Sequence, residues 1–120
     1  MAVHNDLGKL GETIATTYLR NKDYEILELN WRRGKAEVDI IAMYEQTLIF
    51  VEVKTRSSVA FGRPEEFVAE AKQKLLDYAA NEYIYLVKHE GEIRFDIISV
   101  LFNKKQEHTL NHIEDAFWPI

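Results

Sequence analysis

The sequence predicts an α/β fold in which helices flank a central mixed sheet, with the elements in the order α-β-β-β-α-β. Two stretches with apolar residues at helical spacing, 5–20 and 70–87, alternate with stretches rich in β-branched and aromatic residues. Two of the β stretches, 36–42 and 48–54, are divided only by a short polar break, which predicts a hairpin. The second helix follows this hairpin and precedes another strand, so we expect it to cross over one face and to make the sheet mixed.

The composition predicts one globular domain that spans residues 1–120. Apolar residues make up 47% of the chain and charged residues 29%, and no apolar run is long enough to cross a membrane. The first residues lack the basic start and apolar core of a signal peptide, and no cysteine is present. We therefore expect a cytoplasmic protein without disulfides or thiolate metal sites. The net charge of −5 argues against a general nucleic-acid coat protein but allows an enzyme with a local basic patch.

The first predicted helix, 5–20, contains two glycines within its apolar stripe. Gly8 and Gly11 lower its intrinsic stability, and we expect them to let another segment approach closely. Glu12 lies beside the edge of the stripe and, taken alone, has the position of a solvated residue. The stripe consists of Leu7, Leu10, Ile14, Ala15, Tyr18 and Leu19.

The first predicted strand, 24–31, is followed by a basic turn made of Arg32, Arg33, Gly34 and Lys35. A solvated loop is the simpler interpretation of such a turn. The alternative is functional, because Arg and Lys contacts to phosphate position a nucleic acid without reading its sequence. The turn is expected to lie beside the charged end of the hairpin.

The hairpin register follows from taking residues 45–46 as the two turn residues. Asp39 then pairs with Glu52, and Glu37 pairs with Lys54. Side chains two apart share a face of a strand, so one face is apolar near the turn and charged at its far end, whereas the other is apolar throughout. The first face has Met43, Ile41, Asp39, Glu37, Leu48, Phe50, Glu52 and Lys54, and the second has Val38, Ile40, Ala42, Ile49, Val51 and Val53.

Asp39 facing Glu52 at one end of a buried sheet is the feature that indicates chemistry. Directly opposed side chains have Cβ atoms roughly 4.5–5.5 Å apart, where like charges repel, and a divalent cation would remove this cost. Magnesium is usually held by one or two carboxylates with waters and substrate phosphates, and the Val53 carbonyl could add an oxygen. The Lys54 ammonium would point into the same site and stabilise the charge that develops on a phosphate. This combination predicts in-line hydrolysis of a phosphodiester.

The same residues allow a simpler arrangement. Glu37 and Lys54 could form a cross-strand ion pair, with Asp39 and Glu52 at a wet sheet edge. Glu37 is therefore either a helper ligand or the partner of Lys54. The apolar residues that flank both acids favour the metal site over this alternative.

The second half of the chain adds basic residues around the same end of the sheet. A polar loop, 55–64, contributes Arg56 and Arg63. The second helix, 70–87, has Lys72 near its N-terminus, where backbone N–H groups and the helix dipole favour anions. Its apolar stripe is predicted to be Ala71, Leu75, Leu76, Ala79, Tyr83, Leu86 and Val87.

The next predicted strand, 92–102, has Arg94 and Asp96 on one face, which is typical of an edge salt bridge. The segment 109–117 could add a last short strand.

Other chemistries fit poorly. The chain has no phosphate-binding loop and no dinucleotide fingerprint, its histidines lack zinc spacing, and no serine has the context of a hydrolase triad.

Several motifs carry a family resemblance along nearly the whole chain. Asp39 followed by Glu52-Val53-Lys54 resembles the signature of PD-(D/E)xK nucleases, with Val38 before the aspartate and no proline. Further motifs are Gly8–Glu12, Asn30–Arg32, Glu37–Ala42, Phe50–Arg56, Phe61–Gly62, Lys72–Lys74, Arg94–Asp96, His112–Ile113 and Ala116–Phe117. Together they resemble the YraN-like family of uncharacterised bacterial proteins.

This resemblance implies a restriction-endonuclease-like three-layer fold, and the family is similar to archaeal Holliday-junction resolvases. It implies Glu12 as a third acidic group, brought to the site by the first helix, and Gln73 as a polar group at the active-site edge. It also implies DNA as the partner, Mg²⁺ or alternatively Mn²⁺ as the ion, and, by analogy with resolvases, a homodimer.

Two functions of different classes follow. The first is a magnesium-dependent endonuclease that acts on structured or branched DNA. The second is a nucleic-acid-binding or partner-binding protein that keeps the nuclease fold without useful turnover, which the acidic net charge and the small size favour. A third possibility is an acidic cluster that only holds a structural ion. The catalytic candidates are Asp39, Glu52, Lys54, Glu12 and Gln73, the metal ligands Asp39, Glu52, Val53 and Glu12, and the nucleic-acid contacts Arg32, Arg33, Lys35, Arg56, Arg63 and Lys72.

Overall fold

The computed structural model describes residues 3–57 and 67–119. Within them the chain forms helix α1 (Val3–Asn21), strands β1 (Glu25–Arg33), β2 (Ala36–Tyr44) and β3 (Thr47–Ser57), helix α2 (Glu70–Val87), and strands β4 (Ile93–Phe102) and β5 (His108–Ile113). The predicted order α-β-β-β-α-β is confirmed, and the last short strand is formed as well. Neither α1 nor α2, the helices of the described segments, has the length and apolarity that a membrane span requires.

The strands lie side by side in chain order and form one mixed sheet. Neighbouring strands are antiparallel, except that β3 and β4 are parallel and are joined by α2. Phe50 of β3 packs with Leu76 and Tyr83 of α2, whereas its neighbour Val51 packs with Leu19 of α1. The two helices therefore cover opposite faces, and the molecule has the predicted α/β architecture of three layers.

The β2–β3 hairpin has the predicted register near its turn. Tyr44 pairs with Thr47 and Ile41 with Phe50, with residues 45–46 between the strands. The ladder ends at Ile40 and Val51, so the predicted pairing of Asp39 with Glu52 and of Glu37 with Lys54 was wrong. Glu37 lies instead opposite Arg32 of β1, and its Oε2 atom is 3.0 Å from Arg32 Nε.

The alternation of faces breaks within β2. Val38 packs on the α2 side of the sheet together with Ile41, whereas Ile40 packs on the α1 side. Val38 was therefore predicted on the wrong face. The break coincides with an irregular residue of β1: Asn30, between the residues that pair with Ile40 and Val38, has a left-handed φ of 51°. Asp39 occupies the position of this break.

Three further expectations need correction. Arg32 and Arg33 belong to β1, and the turn consists of Gly34 and Lys35. The buried face of α2 is narrower than predicted, because the helix contacts mainly β2 and buries Leu76, Ala79, Ala80 and Tyr83. The predicted stripe members that are exposed are Ala71, Leu75, Leu86 and Val87, and Leu10 of α1 is exposed too.

Arg94 and Asp96 form the predicted ion pair, but not at an open sheet edge. β3 pairs with them on one side, and on the other side, before β5 begins to pair at Ile97, the Ala116 N–H group donates to the Phe95 carbonyl. Asp96 is completely buried, and His112 Nε2 lies 2.7 Å from its Oδ2 atom. Tyr18 of α1 contacts the other ring nitrogen of His112, and Tyr24 accepts a hydrogen bond from Arg94. This Asp96 network therefore ties α1 to β4 and β5.

Candidate metal and nucleic-acid site

The Asp39 side chain connects β2 to β3 just beyond the last backbone pair of their ladder. Its Oδ2 atom accepts a hydrogen bond of 2.8 Å from the backbone N–H of Val53. Burial raises the pKa of Asp39 to about 8, and the negative charges of Glu52 and Glu12 act in the same direction. The Val53 hydrogen bond and the ammonium of Lys72 act against this rise. Asp39 is thus a desolvated carboxyl group held close to other acids.

Glu52 follows the last pair of the β2–β3 ladder and is only 6% exposed. Its Oε2 atom lies 2.5 Å from the Nζ atom of Lys72, in the first turn of α2. Its Oε1 atom is buried and has no hydrogen-bond partner among the residues that the structure describes. Because an unsatisfied buried carboxylate oxygen is costly, this atom is a candidate cation ligand.

Glu12 reaches the same region because α1 lies unusually close to β3. A Cβ atom on Gly11 would be 2.0 Å from Thr55 Oγ1, so a side chain at this position would prevent the contact. The expected close approach is therefore confirmed for Gly11. It is not found at Gly8, where a Cβ atom would meet nothing within 4 Å. The half-buried Glu12 comes near enough for its charge to raise the pKa of Asp39.

Lys54 and Gln73 contact the segment that leads into α2. The Lys54 Nζ atom donates a hydrogen bond to the Phe67 carbonyl and lies 5.2 Å from the centre of the Phe67 ring. Gln73 Nε2 donates a hydrogen bond of 2.8 Å to the Val68 carbonyl. Both side chains thus donate hydrogen bonds to backbone carbonyls of 67–68, and Lys54 also lines a cleft together with Glu52.

An open cleft of about 460 Å³ is lined by Glu52, Lys54 and Lys72, whereas Asp39, Glu12 and Gln73 are not among its lining residues. It lies between the end of β3 and the start of α2, so Glu52 and the cations share one solvent-accessible depression. Its lining residues are Glu52, Val53, Lys54, Arg56, Phe67, Val68, Ala69 and Lys72.

Two of the predicted nucleic-acid contacts, Arg56 and Lys72, line this cleft. Arg32 is paired with Glu37, and Arg33 lies 3.7 Å from Glu82 with its guanidinium over the ring of Trp31. The exposed Lys35 is in the β1–β2 turn. Arg63 lies outside the described residues.

Two residues of the site were missed or assigned differently from sequence. Lys72 was expected to contact nucleic acid, but it forms an ion pair with the most buried acid of the site. Phe67 was not singled out at all. No spacing rule relates either residue to Glu52, because α2 reaches the cleft through tertiary packing and not through strand periodicity.

The residues present fit a magnesium ion better than a softer metal. Asp39 and Glu52 offer hard oxygen atoms, and Mg²⁺ in proteins commonly uses one or two carboxylates and completes its shell with water. Within residues 3–57 and 67–119, no three acidic or imidazole side chains form a group that could hold an ion together. A pair of carboxylates is therefore the donor set that the described residues support, and ligation by Glu12 or by the Val53 carbonyl stays a prediction.

Comparisons with known proteins gave a consistent result. A family model described as "Uncharacterised protein family UPF0102" matches residues 11–100. A UPF0102 protein of Flavobacterium psychrophilum is 52% identical over 118 residues, which cover 98% of both chains. UPF0102 proteins of Bacteroides thetaiotaomicron and Alkaliphilus oremlandii are 44% and 41% identical, over 99% and 96% of this chain and 98% and 100% of theirs.

Proposed function

We propose that this chain, which belongs to the uncharacterised protein family UPF0102, is a magnesium-dependent endonuclease that hydrolyses phosphodiesters in structured or branched DNA. UPF0102 is the YraN-like family that the sequence motifs indicate. The observation that carries the proposal is the buried Oε1 atom of Glu52, which has no hydrogen-bond partner among the described residues and lies near Asp39 at a cleft lined by cations. A site of this kind attracts both a divalent cation and a phosphate.

Asp39 and Glu52 are the residues that would hold the ion. The chemistry that magnesium supplies when bound is polarisation of a phosphoryl oxygen and activation of a water molecule. Asp39 is held in place for this role, because its other contact is the rigid backbone of β3 at Val53. Glu12 would add negative charge from the α1 side and strengthen the attraction for a cation.

The cations of the cleft would bind the DNA backbone. Lys54, Arg56 and Lys72 line the depression from two different elements, and ammonium or guanidinium groups there stabilise the negative charge of a phosphate. Lys72 has a second role, because its ammonium neutralises Glu52. Glu52 would hold an ion through its Oε2 atom only if its ion pair with Lys72 opened, and the Lys72 ammonium would then be available to a phosphate.

A second candidate function is a binding protein that keeps this fold without turnover. It is favoured by the hydrogen bonds of Lys54 and Gln73, which go to backbone carbonyls of 67–68. In that case the cleft would bind a nucleic acid or another partner. An ion held by Asp39 and Glu52 would then be structural.

The test is a titration of Mg²⁺ or Mn²⁺ with cleavage measured on linear, flapped and four-way DNA and on matched RNA. The wild-type protein should cut at least one substrate in a metal-dependent manner. Asp39→Asn and Glu52→Gln should abolish cutting, whereas Lys74→Ala, on an exposed side chain outside the cleft, should not. Binding without any cutting, unchanged in the first two variants, would support the second candidate instead.

A further inference from the structure

Phe67 is an aromatic residue in an unusual setting. Its side chain is 63% exposed, although it lines the same cleft as the buried Glu52. Of the exposed large apolar residues in the described segments, Phe67 is the one that lines this cleft. Three cationic side chains line the cleft with it. The ring contacts Lys54, whose Nζ atom lies 5.2 Å from the ring centre, and the larger part of its surface is open to a partner in the cleft.

The backbone that carries Phe67 is firmly held. Its own carbonyl accepts a hydrogen bond from Lys54, and the next carbonyl, of Val68, accepts one from Gln73. The Val68 side chain is 4% exposed and packs into the core on the α2 side. The ring therefore projects from a fixed support, which lowers the entropic cost of binding a partner.

The chemistry around the ring matches a single nucleic-acid strand. Proteins that bind single strands combine a positively charged groove with aromatic side chains on which bases stack. Here Lys54, Arg56 and Lys72 supply the charge, and Phe67 supplies the aromatic face. A base inside a duplex is already stacked on both sides, so its face cannot reach such a ring.

We infer that Phe67 is a stacking platform for an unpaired base, and that the substrate of this site carries single-stranded nucleotides beside the bond to be cut. This inference rests on the proposed function and narrows its substrate class to strands with an unpaired segment, such as flaps, branch points or free ends. Lys54 and Gln73 act here as positioning residues, because they hold the backbone of the platform.

The test is fluorescence anisotropy with labelled single-stranded, duplex and flapped DNA, in a magnesium-free buffer containing EDTA so that no strand is cut. Phe67→Ala should weaken binding of the single-stranded and flapped probes about 5- to 150-fold, since stacking of one base contributes roughly 1–3 kcal/mol. Duplex binding should change less than about twofold, because duplex contacts are electrostatic.

Two control variants make the result specific. Phe67→Trp keeps a stacking surface and should bind the single strand at least as well as wild type. Tyr85→Ala removes another exposed aromatic side chain, which is 82% exposed on α2 and outside the cleft, and should leave all affinities unchanged.

Four results would overturn the inference. Equal loss of duplex and single-strand binding in Phe67→Ala would show that the ring does not stack on an unpaired base, and so would an unchanged affinity for the single strand. A change in molar mass by light scattering on Phe67→Ala would identify the ring as a contact between two copies of the chain. A wild-type protein that binds none of the probes would overturn this inference alone, because the proposed function is tested separately by magnesium-dependent cleavage.

Discussion

The Nζ atom of Lys72 lies 2.5 Å from the Oε2 atom of Glu52, so the chain supplies its own cation to the most buried acid of the candidate site. Burial would lower the pKa of Lys72, but its contact with Glu52 outweighs this and raises the pKa above its ordinary value. The ammonium is therefore charged at all physiological pH values and stands where a divalent cation would compete with it.

Replacing Lys72 should expose this competition. In the absence of metal, Lys72→Met should lower the free energy of unfolding by about 2 kcal/mol, because a buried carboxylate loses its charged partner. The same variant should bind Mg²⁺ more tightly and gain more thermal stability from it than wild type, measured by calorimetry and thermal unfolding. Lys74→Met, which removes a lysine that pairs with the exposed Glu70, is the matched control. Weaker metal binding in Lys72→Met would contradict the competition.

Asp39 should make the metal-free protein less stable as the pH rises. Its pKa is raised from 3.8 to about 8 in the folded state, so between these values the folded state binds more protons than the unfolded state. The free energy of unfolding must then fall from about pH 4 to pH 8. Urea unfolding across this range should show the decrease in wild type and a smaller one in Asp39→Asn. Mg²⁺ should reverse part of it, because it favours the ionised carboxylate.

Gly11→Ala should destabilise the protein by about 1–3 kcal/mol, although alanine is the better helix former, because the new methyl group overlaps Thr55. Gly8→Ala is the control, since nothing lies within 4 Å of its added methyl group, and it should stabilise by up to about 1 kcal/mol. Adding Thr55→Ala to Gly11→Ala should recover part of the loss in urea unfolding. Equal effects of the two glycine substitutions would show that the close contact does not constrain α1.

The Asp96 network should dominate stability on the α1 face of the sheet. Asp96→Asn should cost about 3–5 kcal/mol, because Arg94 would be left without its buried counter-charge. Asp23→Asn is the same chemical change at an exposed position with a left-handed φ of 68°, which asparagine tolerates, and should be nearly neutral. The two free energies are compared by denaturant unfolding at neutral pH.

The lowered pKa of Asp96 also predicts that the free energy of unfolding decreases in acid. Burial alone would raise its pKa, but hydrogen bonds from His112, Arg94 and the Asp115 N–H group outweigh burial and hold the pKa below 3.8. A carboxyl group with a lowered pKa contributes stability above its unfolded value and loses it as the pH falls through the folded value. Wild type should therefore lose stability below about pH 4, and Asp96→Asn should lack this contribution.

The sequence predicted what depends on local periodicity. Taking residues 45–46 as the turn gave the correct pairing of Ile41 with Phe50, and helical spacing gave α2 the bounds that the structure has. The predicted pairing failed at Asp39 and Glu52, where the Asp39 side chain accepts the hydrogen bond of the Val53 N–H group and Val38 packs on the face opposite to Ile40.

The unpredicted parts of the candidate site depend on packing between distant elements. The ion pair of Lys72 with Glu52 requires the position of α2 on the sheet, and the approach of Glu12 requires the contact of Gly11 with Thr55. Neither contact can be predicted from the spacing of residues along the sequence. Motif resemblance indicated Glu12 and Gln73, but it could not indicate that Gln73 donates to the Val68 carbonyl.

The parallel pairing of β3 with β4 has a consequence for the order in which the protein assembles. Strands β1 to β3 form an antiparallel meander from short-range contacts, whereas β4 can join β3 only after the whole crossover through α2 has closed. Lys72 and Phe67 belong to that crossover. A chain that has completed only the meander therefore has Glu52 without its lysine counter-ion and without Phe67, so the cleft is complete only after the crossover has closed.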